Sequence, residues 1–176
     1  MFKRLSEDTD LASEIDFCII SLSVSSMQAP SFLDFMFEHF KDSGVAPEKI
    51  CLDLNEKNVH SRISAAREFC QTMSRAGCRL SLSGVSTRPS SYQLIKDLPI
   101  QLVRFDPLLT KHADSDPVDR LATESLHRIV HTLGRQSMAT QVNSPELLRI
   151  LQGIGMHYAQ GDAVARPSPI LFHAQS

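Results

Sequence analysis

Apolar residues along this chain fall into short dense runs, separated by longer stretches in which they recur every third or fourth position. Phe17 to Ser23 (FCIISLS) is a run of the first kind, short and rich in β-branched residues, as a strand covered on both faces requires. Ile50 to Leu54, Arg79 to Ser83 and Leu102 to Phe105 repeat the pattern. Ser137 to Val142 does so more weakly, and Met156 to Ala159 supplies a last example. Between these runs the period is helical. Phe32, Leu33, Met36 and Phe40 follow Pro30, which suits a first helical turn, and Gly44 stops the run. Asn58 is placed to cap a helix whose face is Val59, Ile63, Ala66, Cys70 and Met73, with Gly77 at its end. A short helix is expected near Ser91 to Lys96, and Pro107 halts the strand before it. After a polar loop from Thr110 to Asp116, the helix from Pro117 to Leu133 should bury Val118, Leu121, Ala122, Leu126, Ile129 and Leu133. Pro145 to Leu151 is the last clear helix.

Strands alternating with helices over short connections imply parallel pairing through right-handed crossovers, hence an α/β barrel or an open doubly wound sheet. About six strands are visible, whereas a closed barrel of this type takes eight. No Gly-rich loop follows the first strand, which argues against a dinucleotide fold.

Composition narrows the functional classes. At 176 residues and 42% hydrophobic, one domain can bury roughly 70% of its unfolded surface without disulfides or a structural metal. A net charge of −2 leaves no basic stripe for nucleic acid. No apolar run reaches membrane-spanning length and Met1 opens no signal peptide, so a cytoplasmic protein without a membrane partner is expected. Cys18, Cys51, Cys70 and Cys78 form no C-x-x-C pair and read as buried reduced thiols.

Six segments, in order and at matching spacing, resemble the EAL domain, the cyclic-di-GMP phosphodiesterase module of bacterial signalling. Ser21-Leu22-Ser23 falls where the family has N-L-S, and Asp53-Leu54-Asn55-Glu56 where it has E-(L/I)-T-E. Ser83 to Ser91 (SGVSTRPSS) falls on D-D-F-G-T-G-Y-S-S, and Arg104-Phe105-Asp106 on K-I-D. Ala139-Thr140-Gln141-Val142-Asn143 replaces A-E-G-V-E, and Gln160-Gly161-Asp162 replaces Q-G-Y. The resemblance implies an incomplete or modified TIM-like barrel of about six mostly parallel strands with helices outside. Its expected extent is 17–170, with 1–16 as an N-terminal helix or extension and 171–176 as a tail. The strand bearing E-A-L, and the one before it, are expected to be missing. Sheet edges near Ile19 and Tyr158 would then need cover from a helix, a loop or another chain.

Family members, the resemblance implies, hydrolyse cyclic-di-GMP with two Mg²⁺ or Mn²⁺ ions at the C-terminal mouth of the barrel. Such hard cations need several anionic oxygens. Here the implied ligand positions hold Ser21, Ser83, Gly84 and Thr140; only Asp53 keeps a charge, and the family's Lys is Arg104, which stays protonated. No catalytic residue, metal ligand or cofactor is therefore assigned. Asp53 and Arg104 are expected to form a structural ion pair, while Glu56 and Asp106 should bond loop amides. His127 and His131 are expected on the solvated face of their helix. Phe35 and Phe37 widen the apolar face of theirs and mark a surface for a protein partner or a second copy of the chain. The expected function is a catalytically inactive EAL-like regulatory module acting through protein contact. The alternative is a metal-independent cyclic-di-GMP sensor using Asp53, Arg88, Arg104 and Gln160, in which Arg88 and Arg104 jointly receive a phosphate. An active phosphodiesterase stands third.

Overall fold

The structure, a computed structural model, describes residues 15–167. The expected extension over 1–16 and tail over 171–176 thus lie outside the described residues, save Ile15 and Asp16. Six strands form one sheet in sequence order: β1 (Cys18–Ser21), β2 (Ile50–Asn55), β3 (Arg79–Val85), β4 (Leu102–Phe105), β5 (Gln136–Ala139) and β6 (Tyr158–Ala159). Every pairing is parallel. Helices fill the connections: α1 (Val24–Gln28), α2 (Pro30–Ser43), α3 (Glu56–Ser61), α4 (Ile63–Arg75), α5 (Pro89–Asp97), α6 (Pro107–Thr110), α7 (Pro117–Thr132) and α8 (Pro145–Ile154). The result is the expected partial barrel.

Strand alternation sorts the core into two faces. Leu52, Leu54, Leu80, Leu82, Val103 and Phe105 pack outward against helix residues such as Met36, Phe69, Met73, Ile95, Leu126 and Val130. Cys51, Leu102 and Met138 face inward with Phe17, Ile19 and Tyr158. The sheet curls until its two ends meet at the barrel floor: the rings of Phe17 and Tyr158 stand edge to face at 5.5 Å, and the Tyr158 hydroxyl reaches Asp16 at 3.3 Å.

Three local expectations fail. Asn55, not Asn58, caps the helix after β2, accepting from the Lys57 amide at 3.1 Å; the chain then breaks at Arg62 (φ −146°, ψ 46°), giving α3 and α4 in place of one helix. Val118 and Leu121 are exposed (73% and 62%), because Thr123 takes the inward position of α7 and they lie about 140° and 160° around the helix from it. The Thr123 hydroxyl is satisfied there by the carbonyls of Asp119 (2.8 Å) and Leu109 (3.1 Å), so a polar residue sits in the core stripe without cost. His127 is half-buried and bonded to Ser137, not solvated as expected. Cys51, Cys70 and Cys78 are buried free thiols, and Cys18 is half-buried. Among the described residues no helix is long and apolar enough to cross a membrane.

Candidate functional site

At the C-terminal ends of the strands, the inward-facing positions change from apolar to polar. The register puts Ser21 beside Asp53, Asp53 beside Ser81, and Ser83 beside Arg104. A cavity of about 370 Å³ opens above them, bordered by Ser21, Asp53, Ser83, Arg104, Asp106 and Thr140.

Asp53 is the centre of this arrangement and is 3% exposed. Its Oδ1 accepts from the Ser81 hydroxyl at 2.6 Å, and its Oδ2 accepts from Arg104 Nη1 at 2.9 Å and from the Ser21 hydroxyl at 3.4 Å. Both oxygens are thus occupied by donors of this chain. The expected ion pair forms, and charge-assisted bonds of this kind are the strong ones. Arg104 also donates from Nη2 to Gln160 Oε1 at 3.4 Å, while its buried Nε has no partner among the described residues.

Asp53, Arg104 and Gln160 therefore converge at the mouth. Arg88 does not join them, contrary to the expected shared phosphate site. Its Nη2 is held by Glu56 Oε2 at 2.9 Å, and Glu56, wholly buried, also accepts from Ser91 at 2.7 Å and meets His60 at 3.3 Å. Glu56 thus anchors β2 to α5 through side chains, not loop amides. Asp106 does bond an amide, capping α6 through Leu108 N at 3.0 Å. Phe35 and Phe37 lie on the outside of α2, away from the mouth, at 45% and 44% exposure. Sequence reasoning missed Ser81, the shortest bond to Asp53, and Asn55 and Lys57 at the cavity wall. The signal for Ser81 was its period-2 place two residues before Ser83.

Gly84 stands at a bulge in β3, between the pairs made by Ser83 and Val85, with φ +76°. A side chain there would be strained by the left-handed backbone and would press on Asn55 Nδ2 at 3.3 Å. The donors at the mouth do not fit a pair of divalent cations. One carboxylate is present at the implied ligand positions, its oxygens are taken, and a fixed guanidinium occupies the centre. Among the described residues no three His, Cys, Asp or Glu side chains converge closely enough to hold a metal ion.

Comparison with known proteins places this geometry. The family model for the EAL domain matches residues 1–167. A cyclic di-GMP phosphodiesterase, PdeB of Shewanella oneidensis, is 24% identical over 161 residues, covering 91% of this chain and 19% of that protein. Another, PdeA of Borreliella burgdorferi, is 25% identical over 170 residues, covering 96% and 25%. The chain thus spans a quarter or less of the length of these relatives. Among solved structures, the Xanthomonas citri FimX EAL domain in complex with c-diGMP superposes with a TM-score of 0.89 at 21% identity, over 96% of this chain and 66% of that one.

Proposed function

The chain belongs to the EAL domain family of cyclic-di-GMP signalling, and on that premise we propose that it is a catalytically inactive regulatory module that acts through contact with another protein or a second copy of itself. The observation that carries the proposal is the state of Asp53. Its two oxygens are spent on Arg104, Ser81 and Ser21, so the one carboxylate at the implied ligand positions neutralises a cation of this chain, and Asp106, which also borders the cavity, caps α6. Arg104 cannot accept a proton from water at neutral pH, and Ser83, Gly84 and Thr140 offer no anionic oxygen. The exposed rings of Phe35 and Phe37 supply the contact surface. Incubation with cyclic-di-GMP and Mn²⁺ should leave the nucleotide intact; appearance of the linear dinucleotide overturns inactivity. Phe35→Ser with Phe37→Ser should abolish co-purification with the partner or self-association, and unchanged binding removes α2 from the proposal.

A second reading has its own support. The unpartnered Nε of Arg104 beside a cavity of about 370 Å³ favours metal-independent capture of cyclic-di-GMP, with Gln160 held in place by the same guanidinium. Calorimetry at micromolar nucleotide, with and without Mg²⁺, separates the two readings. Equal heat in both conditions supports a sensor, and no heat in either leaves protein contact alone.

A further inference from the structure

Three imidazoles meet outside the barrel where α7 passes the start of β6. The rings of His127 and His157 are 5.7 Å apart, those of His127 and His131 6.1 Å, and those of His131 and His157 6.0 Å. Beneath them lies Ser137 of β5, wholly buried. Its Oγ is 2.9 Å from His127 Nδ1 and 3.1 Å from His157 Nδ1, and its backbone N–H donates to His157 Nδ1 at 3.2 Å. A backbone amide only donates, so His157 Nδ1 is an acceptor and carries no proton.

The position of that bond gives it a mechanical role. β6 has two residues, and its pairing with β5 begins at Met138 and Tyr158. The Ser137 amide thus lies one residue before the pairing, and the His157 ring stands where a strand carbonyl would otherwise accept from it. Such a buried amide needs an acceptor. A proton on His157 Nδ1 sets N–H against N–H and removes the acceptor. The Ser137 hydroxyl oxygen can accept that proton at 3.1 Å, but this does not replace the acceptor that the Ser137 amide has lost. A second charged ring about 6 Å away then adds repulsion.

We propose that His157, with His127 and His131, forms a proton-operated latch on β6: the neutral rings hold the outer strand against β5, and charged rings release it. On α7 the charged neighbours in sequence are Glu124 and Arg128, with Arg135 past its end; β5 faces the cluster with Ser137, and the turn after α8 brings Gly155 against His127. Glu124 is paired with Arg120 at 3.5 Å, and the groups whose charge bears on His127 are His157 and His131. Burial first, then those two rings, holds the His127 pKa below its ordinary 6.5. Its folded-state value is the depressed one, so its contribution to stability is fully present above about pH 6.5 and is lost as pH falls through the folded value. Release would reach the mouth, because Gln160 follows β6 directly, donating its amide to Ala139 O at 2.9 Å and receiving Arg104 on its side chain.

The test is amide exchange and ¹⁵N chemical shifts of the full chain between pH 7.5 and 5.0. In the native protein the Ser137 amide shift should titrate. Opening of the Gln160 amide, corrected for intrinsic exchange, should rise several-fold over the same range. His157→Asn keeps an acceptor near the Nδ1 position without a titrating ring, so both responses should flatten. His131→Gln, at an exposed position, removes one like charge and should halve the rise on a logarithmic scale. His112→Gln, outside the cluster, should leave the native response. A Ser137 amide that does not titrate, or a His157→Asn protein that responds like the native one, overturns the latch.

Discussion

Replacing Arg104 by Met puts the buried pair at the mouth to a quantitative test. The Asp53 side chain is 4% exposed and that of Arg104 16%, so neither charge is well hydrated in the folded state. Met fills much of the Arg stem's volume but brings no counter-charge. Breaking a buried pair from one side costs about 3–5 kcal/mol, because the surviving charge is left in low dielectric. Here the Ser81 hydroxyl at 2.6 Å and the Ser21 hydroxyl at 3.4 Å stay on the carboxylate, and each hydrogen bond to a charged group is worth about 1.5–3 kcal/mol. The expected cost is therefore near the lower end, about 3 kcal/mol. With an urea m-value of about 2 kcal/mol/M, the unfolding midpoint should fall by about 1.5 M. The chain has no Trp and two Tyr, so circular dichroism is the suitable readout. Asp53→Asn alone should cost about 2–3 kcal/mol by stranding the guanidinium. The double variant Asp53→Asn with Arg104→Met should cost no more than either single change, since it leaves no unpaired charge. Additive costs in the double variant, or a midpoint shift under about 0.5 M for Arg104→Met, would refute the reasoning.

Gly161→Ala should destabilise the fold by about 3 kcal/mol and disorder the turn holding Gln160, because a Cβ there would collide with the backbone N, C and O of Val142. Gly134→Ala, at φ +68° but in open space, should cost only about 1–2 kcal/mol in the same urea titration. The buried thiols should resist a disulfide reagent at pH 8, because burial pushes Cys51 up to about 11 and Cys70 and Cys78 up to about 12. Mass mapping should find label at half-buried Cys18 first, and rapid labelling of Cys70 would contradict the packing of α4.

Strand positions were most legible where a short apolar run is buried on both faces, as in β2 with five of its six residues buried. They were less so at β5, whose sequence is Gln-Ser-Met-Ala, and at the part-buried outer strands β1 and β6. Helix faces were legible only where one stripe dominated. In α7, two candidate stripes compete, one through Val118 and Leu121 and one through Thr123, Leu126 and Val130. Periodicity alone favours the more apolar set. The choice fell the other way because α6 offers the Leu109 carbonyl to the Thr123 hydroxyl, a contact that no local pattern encodes. Arg88 was misassigned for a related reason. Its place near Ser83 and Gly84 in sequence suggested the mouth, but its Nη2 is taken by the buried carboxylate of Glu56 and the Gly84 carbonyl.

The sequence by itself determined the order of strands and helices, the parallel sheet, and the replacement of anionic ligands at the strand ends by Ser, Gly and Thr. Residue identity and spacing suffice for these, since burial period and side-chain charge are local properties. Only the tertiary structure decided how the remaining charges are used. Asp53 and Arg104 are 51 residues apart and bond at 2.9 Å, and His127 and His157 are 30 apart with rings 5.7 Å from each other. Whether a buried charge binds a ligand or a neighbour depends on which donors the crossovers bring within hydrogen-bond reach, and that distance is set by the packed sheet.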